Sequence, residues 1–446
     1  GHRATERPFV LLTMANHKEK FIIILLSTLI VISYFFGFYL NEDSAGGGKI
    51  DLYDHEWDNV QLFINNNIFD ALTDLRYESS RTPLYLIINK FNIFASTIEG
   101  LRISYFVFSL SIPISFYFLL KTIYKNTANE VLFFISTIIF LSPYFRSSAF
   151  WANEENLAIF FVIVSLIFFV KIFEKKEKNY INKLLIASSA SLFAFLAFYS
   201  DQKTVFLVIF IYFAIIRKNN FKFFITFSFI NFMFFIPALY LFYIWNGLIP
   251  IDAQTRMDFS NFVDHPLTGL NIFISNIGIY LLPIILVLII KKELKNFLNF
   301  SFLNLFIFLL FSIVLFYFLP IEPRFEGNGV VFKLLSVVSQ KFGVEWIFVK
   351  FLYFSINLVF LFFLLNLFEK KIENIVFIIV FLAIFSSTFF TYQSYVDPLF
   401  FILLFGYFKI KDKINLTNIS YAYFFFLFYF LILTCSILFR KFIYIS

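Results

Sequence analysis

The chain has 446 residues, of which 60% are hydrophobic, and 75 of them are phenylalanine. Soluble globular domains do not have this composition, so the protein is predicted to be embedded in a membrane. The single cysteine, Cys435, excludes a disulfide framework and a thiolate metal cluster. The net charge of +7 is attributed to basic cytoplasmic loops, not to a nucleic-acid partner.

Apolar runs that could cross a bilayer recur along the whole chain. About 20 helical residues span the hydrocarbon core, and this criterion predicts about thirteen spans. Their predicted ranges are 21–40, 103–120, 130–143, 156–171, 184–199, 204–216, 223–245, 271–290, 299–319, 346–368, 375–391, 398–408 and 421–438. Residues 1–13, which precede Met14, differ in composition and are predicted to be a tag or an upstream extension. Residues 14–446 are predicted to form one all-α polytopic membrane domain of about 12–13 transmembrane helices.

Basic and acidic residues separate into opposite sets of loops. The basic loops, such as residues 171–183, are predicted to face the cytoplasm by the positive-inside rule. The other loops hold most of the acids. All four tryptophans lie on or beside the outer boundary of the membrane predicted from these loops, as in an aromatic belt. We therefore expect the chemistry on the periplasmic or exterior side of a cell membrane, such as the bacterial inner membrane.

The first outer loop, residues 41–102, is the most polar part of the chain and is rich in acids near its start. Its triple glycine, residues 46–48, is predicted to be a tight turn because no P-loop Lys-Ser/Thr accompanies it. Residues 57–75 have apolar residues near helical spacing, which predicts an amphipathic helix on the membrane surface. Residues 83–95 are apolar but too short to span, which favours an interfacial or re-entrant helix.

Several short motifs follow the first span in a fixed order. An acidic pair, Glu42-Asp43, is followed by Arg81-x-Pro83-Leu84-Tyr85, and Arg146-x-x-x-x-Trp151-x-Asn153-Glu154-Glu155 comes next. The later motifs are Trp245-x-Gly247-Leu248-x-Pro250 and Gln393-x-Tyr395-x-Asp397-Pro398. In the order of these motifs, and in the side of the membrane predicted for them, the chain resembles the GT-C superfamily. These membrane glycosyltransferases take sugars from polyprenyl-phosphate carriers. Protein mannosyltransferases and aminoarabinose transferases are examples. The resemblance covers most of the chain, with one departure: that family often has Asp-Glu where this chain has Glu42-Asp43.

The resemblance implies a carboxylate base in the first outer loop. Transfer from a lipid phosphate needs a base for the acceptor hydroxyl and cations for the departing phosphate. Asp43 is the first candidate base, and Glu42 and Asp51 are the alternatives. The structural alternative is that these acids only solvate the loop or cap a helix. The candidate ligands for the donor or its phosphate are Arg81, Lys203, Arg256, Arg324, Lys333, Glu154, Glu155, Trp151 and Gln393. Each basic residue could instead snorkel to the interface or pair with a nearby acid, and the two glutamates could simply favour a helix N-terminus.

The expected function is a glycosyltransferase of cell-envelope glycan biosynthesis, with hexosyl or pentosyl transfer onto a glycan, lipid or protein acceptor. No cofactor is predicted, because His55 and His265 belong to no His-x-x-x-His pattern that would support a divalent metal. The alternatives are a lipid-linked glycan polymerase or ligase and a flippase-type transporter. The acidic first loop favours transfer over polymerisation. A transporter would carry charges within several spans, and the predicted spans are nearly free of charge.

Overall fold

A computed structural model describes residues 17–77, 83–174, 179–248, 264–293, 302–317, 319, 329–367, 372–386, 393–408, 416 and 418–443. In these ranges the chain is mostly helical and contains no strand, which confirms the predicted all-α class. The predicted extension at residues 1–13 lies outside the described residues.

The first half of the chain holds thirteen α-helices in the described ranges. These are α1 (His17–Tyr39), α2 (Gly48–Asp51), α3 (Trp57–Asn65), α4 (Ile68–Thr73), α5 (Pro83–Phe91), α6 (Ile98–Ser109), α7 (Ser111–Ile123), α8 (Asn129–Thr137), α9 (Pro143–Phe150), α10 (Glu155–Glu174), α11 (Tyr180–Ser200), α12 (Val205–Arg217) and α13 (Phe221–Ile244). A π-helical turn, Leu52–Glu56, joins α2 to α3, and 3₁₀ turns occupy Ile93–Ser96, Ile138–Leu141 and Gln202–Thr204.

The second half is described with more interruptions and continues the same architecture. Its helices are α14 (Asp264–Gly278), α15 (Leu282–Ile290), α16 (Phe302–Tyr317), α17 (Gly329–Phe342), α18 (Trp346–Leu367), α19 (Ile372–Ser386), α20 (Leu399–Gly406) and α21 (Ile419–Ile443). Further 3₁₀ turns lie at Ile279–Leu281 and Gln393–Tyr395.

Eight helices of the described chain are long and apolar enough to cross a membrane. They are His17–Tyr39, Ile98–Ile123, Glu155–Ile172, Tyr180–Ser200, Phe221–Ile244, Gly269–Ile290, Trp346–Asn366 and Ile419–Leu438. The pair Asn129–Leu141 and Pro143–Phe150, bent by 70°, would make a ninth span. The protein is therefore a polytopic membrane protein. Several runs predicted as full spans are helices that fall short of the length criterion, such as α12 and α20. The count of about thirteen spans therefore exceeds the eight or nine helices that meet this criterion, and it remains a prediction.

The start of α10 and the end of α11 position Glu155 and the link that carries Lys203. The two helices pack closely because α11 presents small residues, Ala187, Ala190 and Ala194, at the contact. Ser165 of α10 donates a hydrogen bond of 2.6 Å from its Oγ to the carbonyl of Ala190. Glu155 therefore starts one helix beside the end of the other, where Gln202–Thr204 forms a short link to α12.

The first loop differs from its predicted form in two respects. Residues 57–75 contain two helices instead of one, because Asn66 is extended and Asn67 caps α4 by accepting a hydrogen bond from the Phe69 amide. The first part of the predicted apolar stripe also faces the protein. Val60 and Phe63 are fully buried, and α3 packs against α5.

Residues 83–95 likewise form more than one element. Helix α5 ends at Phe91, and the turn Ile93–Ser96 follows it. The side chain of Asn92 accepts a hydrogen bond of 3.1 Å from the amide of Phe94, which closes this turn. The segment is thus a short helix followed by a turn at the start of α6.

Candidate functional site

The second half of α9 and the turn after it, residues 146–155 and called the 146–155 turn below, contact the first loop. Arg146 forms a bidentate ion pair with Glu42, with Nε–Oε1 and Nη2–Oε2 distances of 2.7 and 2.6 Å. The two side chains are only 3% and 14% exposed. Arg146 also donates hydrogen bonds to the carbonyls of Ser33 and Phe140. Glu42, a candidate base in the sequence, therefore ties the end of α1 to α9.

Asp43 lies next to this ion pair and is half-buried. Its Oδ1 accepts hydrogen bonds from the Ser147 hydroxyl at 2.8 Å and the Gly46 amide at 3.2 Å. Its Oδ2 accepts a further hydrogen bond of 3.2 Å from the Lys49 amide. Gly46 adopts a φ of 91°, a conformation that favours glycine, so the predicted tight turn is present. These bonds fix the position of the Asp43 carboxylate.

Trp151 is buried under the first loop. Its indole Nε1 donates a hydrogen bond of 2.9 Å to the carbonyl of Glu42. The guanidinium of Arg102 lies 4.0 Å from the Trp151 ring centre and donates to the Phe150 carbonyl. Trp151, predicted to contact substrate, thus packs against the loop that carries Asp43. Sequence reasoning missed Arg102, although a lone arginine at the start of an apolar run was a visible signal.

Asp51 faces the same turn from α2. The amide Nδ2 of Asn153 lies 3.5 Å from Asp51 Oδ2, a long contact for a hydrogen bond. Asp43 and Asp51, two of the candidate bases, therefore both meet residues of the 146–155 turn.

A second group of charges lies at the other end of that turn. Glu155 Oε2 accepts a hydrogen bond of 3.3 Å from the hydroxyl of Ser148. Lys203 pairs with Asp201 at 3.3 Å, and its Nζ lies 3.7 Å from the centre of the Tyr395 ring. Since Ser147 bonds Asp43 and Ser148 bonds Glu155, consecutive serines connect the two groups of acids.

Lys203 is the basic centre of this second group. Burial alone would lower the pKa of its ammonium, but the charges of Asp201, Glu155 and Glu154 outweigh burial and raise the pKa above its usual range. The Lys203 side chain is therefore a positive charge that three carboxylates stabilise between the start of α10 and the end of α11.

A small apolar groove opens at Gln202, the residue before Lys203, between the ends of α11 and α13 and the start of α5. Its lining residues are Pro83, Phe198, Tyr199, Gln202, Ala238, Leu241, Phe242 and Trp245. Sequence reasoning did not find this groove, because its walls come from three distant segments.

Gln393, another predicted substrate ligand, is buried. Its Nε2 donates hydrogen bonds of 3.1 Å to the Asn276 carbonyl and the Tyr280 hydroxyl. Nearby, Asp397 accepts hydrogen bonds from the Ser142 hydroxyl at 2.6 Å and the Tyr429 hydroxyl at 2.9 Å. This network holds residues 393–397 against α14, against α21 and against the break that separates α8 from α9. It therefore places Tyr395 over Lys203.

The remaining predicted ligands do not join the cluster in the described part of the chain. Lys333 is an exposed residue of α17. Arg81, Arg256 and Arg324 lie outside the described residues. Over the ranges given above, no three His, Cys, Asp or Glu side chains are grouped in a way that could hold a metal ion.

The arrangement places an apolar groove at Gln202, the Lys203 ammonium next in the chain, and the carboxylates of Asp201, Glu154 and Glu155 around that ammonium. Comparison with known proteins found no matching family model, curated protein or solved structure. The functional argument therefore depends on the residues of this chain.

Proposed function

We propose that the protein is an integral membrane glycosyltransferase that moves a sugar from a polyprenyl phosphate to an acceptor on the extracytoplasmic side. The observation that carries the proposal is the Lys203 ammonium in the same short link that places Gln202 in the apolar groove. A polyprenyl chain needs an apolar surface at the membrane, and its phosphate needs a cation at headgroup depth. Lysine can bind phosphate as a point charge while it keeps its pair with Asp201, because an ammonium has three donors.

The proposed reaction uses Asp43 as the general base. The acceptor hydroxyl transfers its proton to the Asp43 carboxylate while the acceptor oxygen forms a bond to C1 of the sugar. The bond between C1 and the phosphate oxygen breaks, and the polyprenyl phosphate leaves with the electron pair. Lys203 stabilises the negative charge that develops on this leaving group. Ser147 keeps the carboxylate in one orientation, as a base requires.

The donor half of the proposal can be tested without knowledge of the sugar. Binding of polyprenyl phosphate to the protein in nanodiscs would be measured by native mass spectrometry. We expect Lys203→Ala to weaken this binding by about tenfold or more, since a charge-assisted contact contributes about 1.5–3 kcal/mol. Lys341→Ala removes an exposed lysine of α17 and serves as the matched control. Equal binding by both variants would contradict the donor site.

The catalytic half needs a transfer assay with a panel of polyprenyl-phosphate hexoses and pentoses. Asp43→Asn is expected to lower the transfer rate by ~10²-fold or more, because the amide keeps the shape but cannot accept the proton. Asp58→Asn, at an exposed acid of α3, is the control. If Asp51→Asn abolishes transfer while Asp43→Asn retains it, Asp51 is the base. Full activity in both variants would contradict a base in this loop.

A further inference from the structure

The first loop exposes large apolar side chains at several places, and two of these places lie against a membrane span. The first tip consists of Phe69 and Leu75 at α4, and Phe69 is 62% exposed. The second tip consists of Phe91, Ile93 and Phe94 after α5, and Ile93 is 83% exposed. Large apolar side chains grouped this way at a surface mark a contact with a membrane or another protein.

The first tip is continuous with the lipid-facing surface of α13. The Phe69 ring packs edge-on against Tyr240, with centroids 6.1 Å apart. Tyr240 belongs to the exposed face of α13, which also carries Phe232, Ile236 and Tyr243. Since Tyr240 lies one turn before the helix end at Ile244, Phe69 reaches about 6 Å back along the span.

The contact between this tip and α13 is fixed by the backbone of α4. Trp245, which caps the end of α13, donates a hydrogen bond of 3.0 Å from its indole Nε1 to the carbonyl of Leu72. Leu72 is itself buried, so one side of α4 faces the protein while Phe69 stays exposed. The tip is therefore held at the level of the last turn of a membrane span.

The second tip is continuous with α6 in the same way. Asn92 Nδ2 donates a hydrogen bond of 2.9 Å to the Ser104 hydroxyl on α6, which holds the turn against the span. Gln61 Nε2 donates a bond of 3.3 Å to the Ala95 carbonyl and joins the turn to α3. Beyond the turn, α6 exposes Ile103 and Val107, which extend the apolar surface along the span.

We propose that both tips insert into the acyl region of the leaflet on the side of the first loop. The occupant of these apolar surfaces is lipid acyl chain, because each surface continues the lipid-facing side of a span. Insertion removes the tips from water, and the acids on the rest of the loop remain at the headgroups. Two separate insertion points would fix the height of the loop above the bilayer. This inference is independent of the proposed transfer reaction.

The depth of the tips can be measured by spin labelling of the full chain in nanodiscs. Cys435→Ser removes the native thiol, and Phe69→Cys and Ile93→Cys then receive a nitroxide. Power saturation compares the accessibility of each label to oxygen, which partitions into acyl chains, and to a water-soluble nickel chelate. A label at Phe229, on the exposed face of α13, is the lipid reference, and a label at Asp58 is the water reference.

We expect the labels at Phe69 and Ile93 to be more accessible to oxygen than to nickel, as at Phe229. Higher accessibility to nickel at both sites, as at Asp58, would overturn the proposal. Low accessibility to both reagents together with spin–spin broadening would also overturn it, because a second copy of the chain would then cover the tips. If either variant fails to fold, Leu75→Cys and Phe94→Cys probe the same two tips.

Discussion

The buried ion pair between Arg146 and Glu42 should be the most sensitive link between the first loop and the membrane domain. Arg146→Met removes the guanidinium but keeps an apolar side chain of similar length. The Glu42 carboxylate then stays buried, and its two charge-assisted hydrogen bonds of 2.6 and 2.7 Å are lost. The carbonyl of Ser33 also loses its 2.8 Å donor.

The size of the effect follows from the burial of the pair. Removal of one partner from a buried ion pair leaves an uncompensated charge, which costs about 3–5 kcal/mol. The side chains are 3% and 14% exposed, so the pair belongs to this class and not to the weak surface class. Replacement of both residues by apolar groups removes the stranded charge. The double variant Glu42→Leu/Arg146→Met should therefore lose less free energy of unfolding than the sum of the two single variants.

The assay is reversible unfolding in mixed micelles by titration with a denaturing detergent. Arg76→Ala is the matched control, because Arg76 pairs with Asp74 at 2.7 Å but its side chain is 74% exposed. We expect no measurable change for this control, since exposed pairs are screened by water and salt. A loss below about 1 kcal/mol for Arg146→Met, or strict additivity in the double variant, would refute the reasoning.

The remaining predictions concern topology, charge and the position of the base. In a Cys435→Ser background, cysteines at Asp54 and Asn179 should be labelled from opposite sides of the membrane, because the positive-inside rule separates their loops; labelling from the same side would contradict the orientation. The pKa of Lys203 is raised in the folded state. The Lys203 charge therefore makes its full contribution to the free energy of unfolding below pH about 10.4, and this contribution is lost only at higher pH. Lys203→Met should therefore still lower the free energy of unfolding at pH 9, and an effect at pH 7 that is absent at pH 9 would mean that Lys203 has lost its proton. Ser147→Ala removes the 2.8 Å hydrogen bond to Asp43 and should lower the rate of sugar transfer more than it lowers donor binding; a matched loss of binding would assign the serine a structural role instead.

The sequence by itself determined the class of the protein and several helix boundaries. Repeated apolar runs predict an all-α membrane protein, because a helix satisfies its own backbone hydrogen bonds in lipid. The start of a span at the Trp151–Glu155 motif was also predictable, and α10 begins at Glu155. Both properties depend on local composition, which a single sequence contains in full.

The tertiary structure decided what each polar residue contacts. Glu42 and Asp43 are neighbours of the same chemical type, yet one pairs with Arg146 and the other binds Ser147 and the loop amides. The stripe that includes Val60 faces the protein because α5 packs against it, so its amphipathic pattern could not identify its partner. The groove at Gln202 forms where α5, α11 and α13 meet. Such contacts depend on which distant segments come together, and hydrophobic periodicity carries no information about that choice.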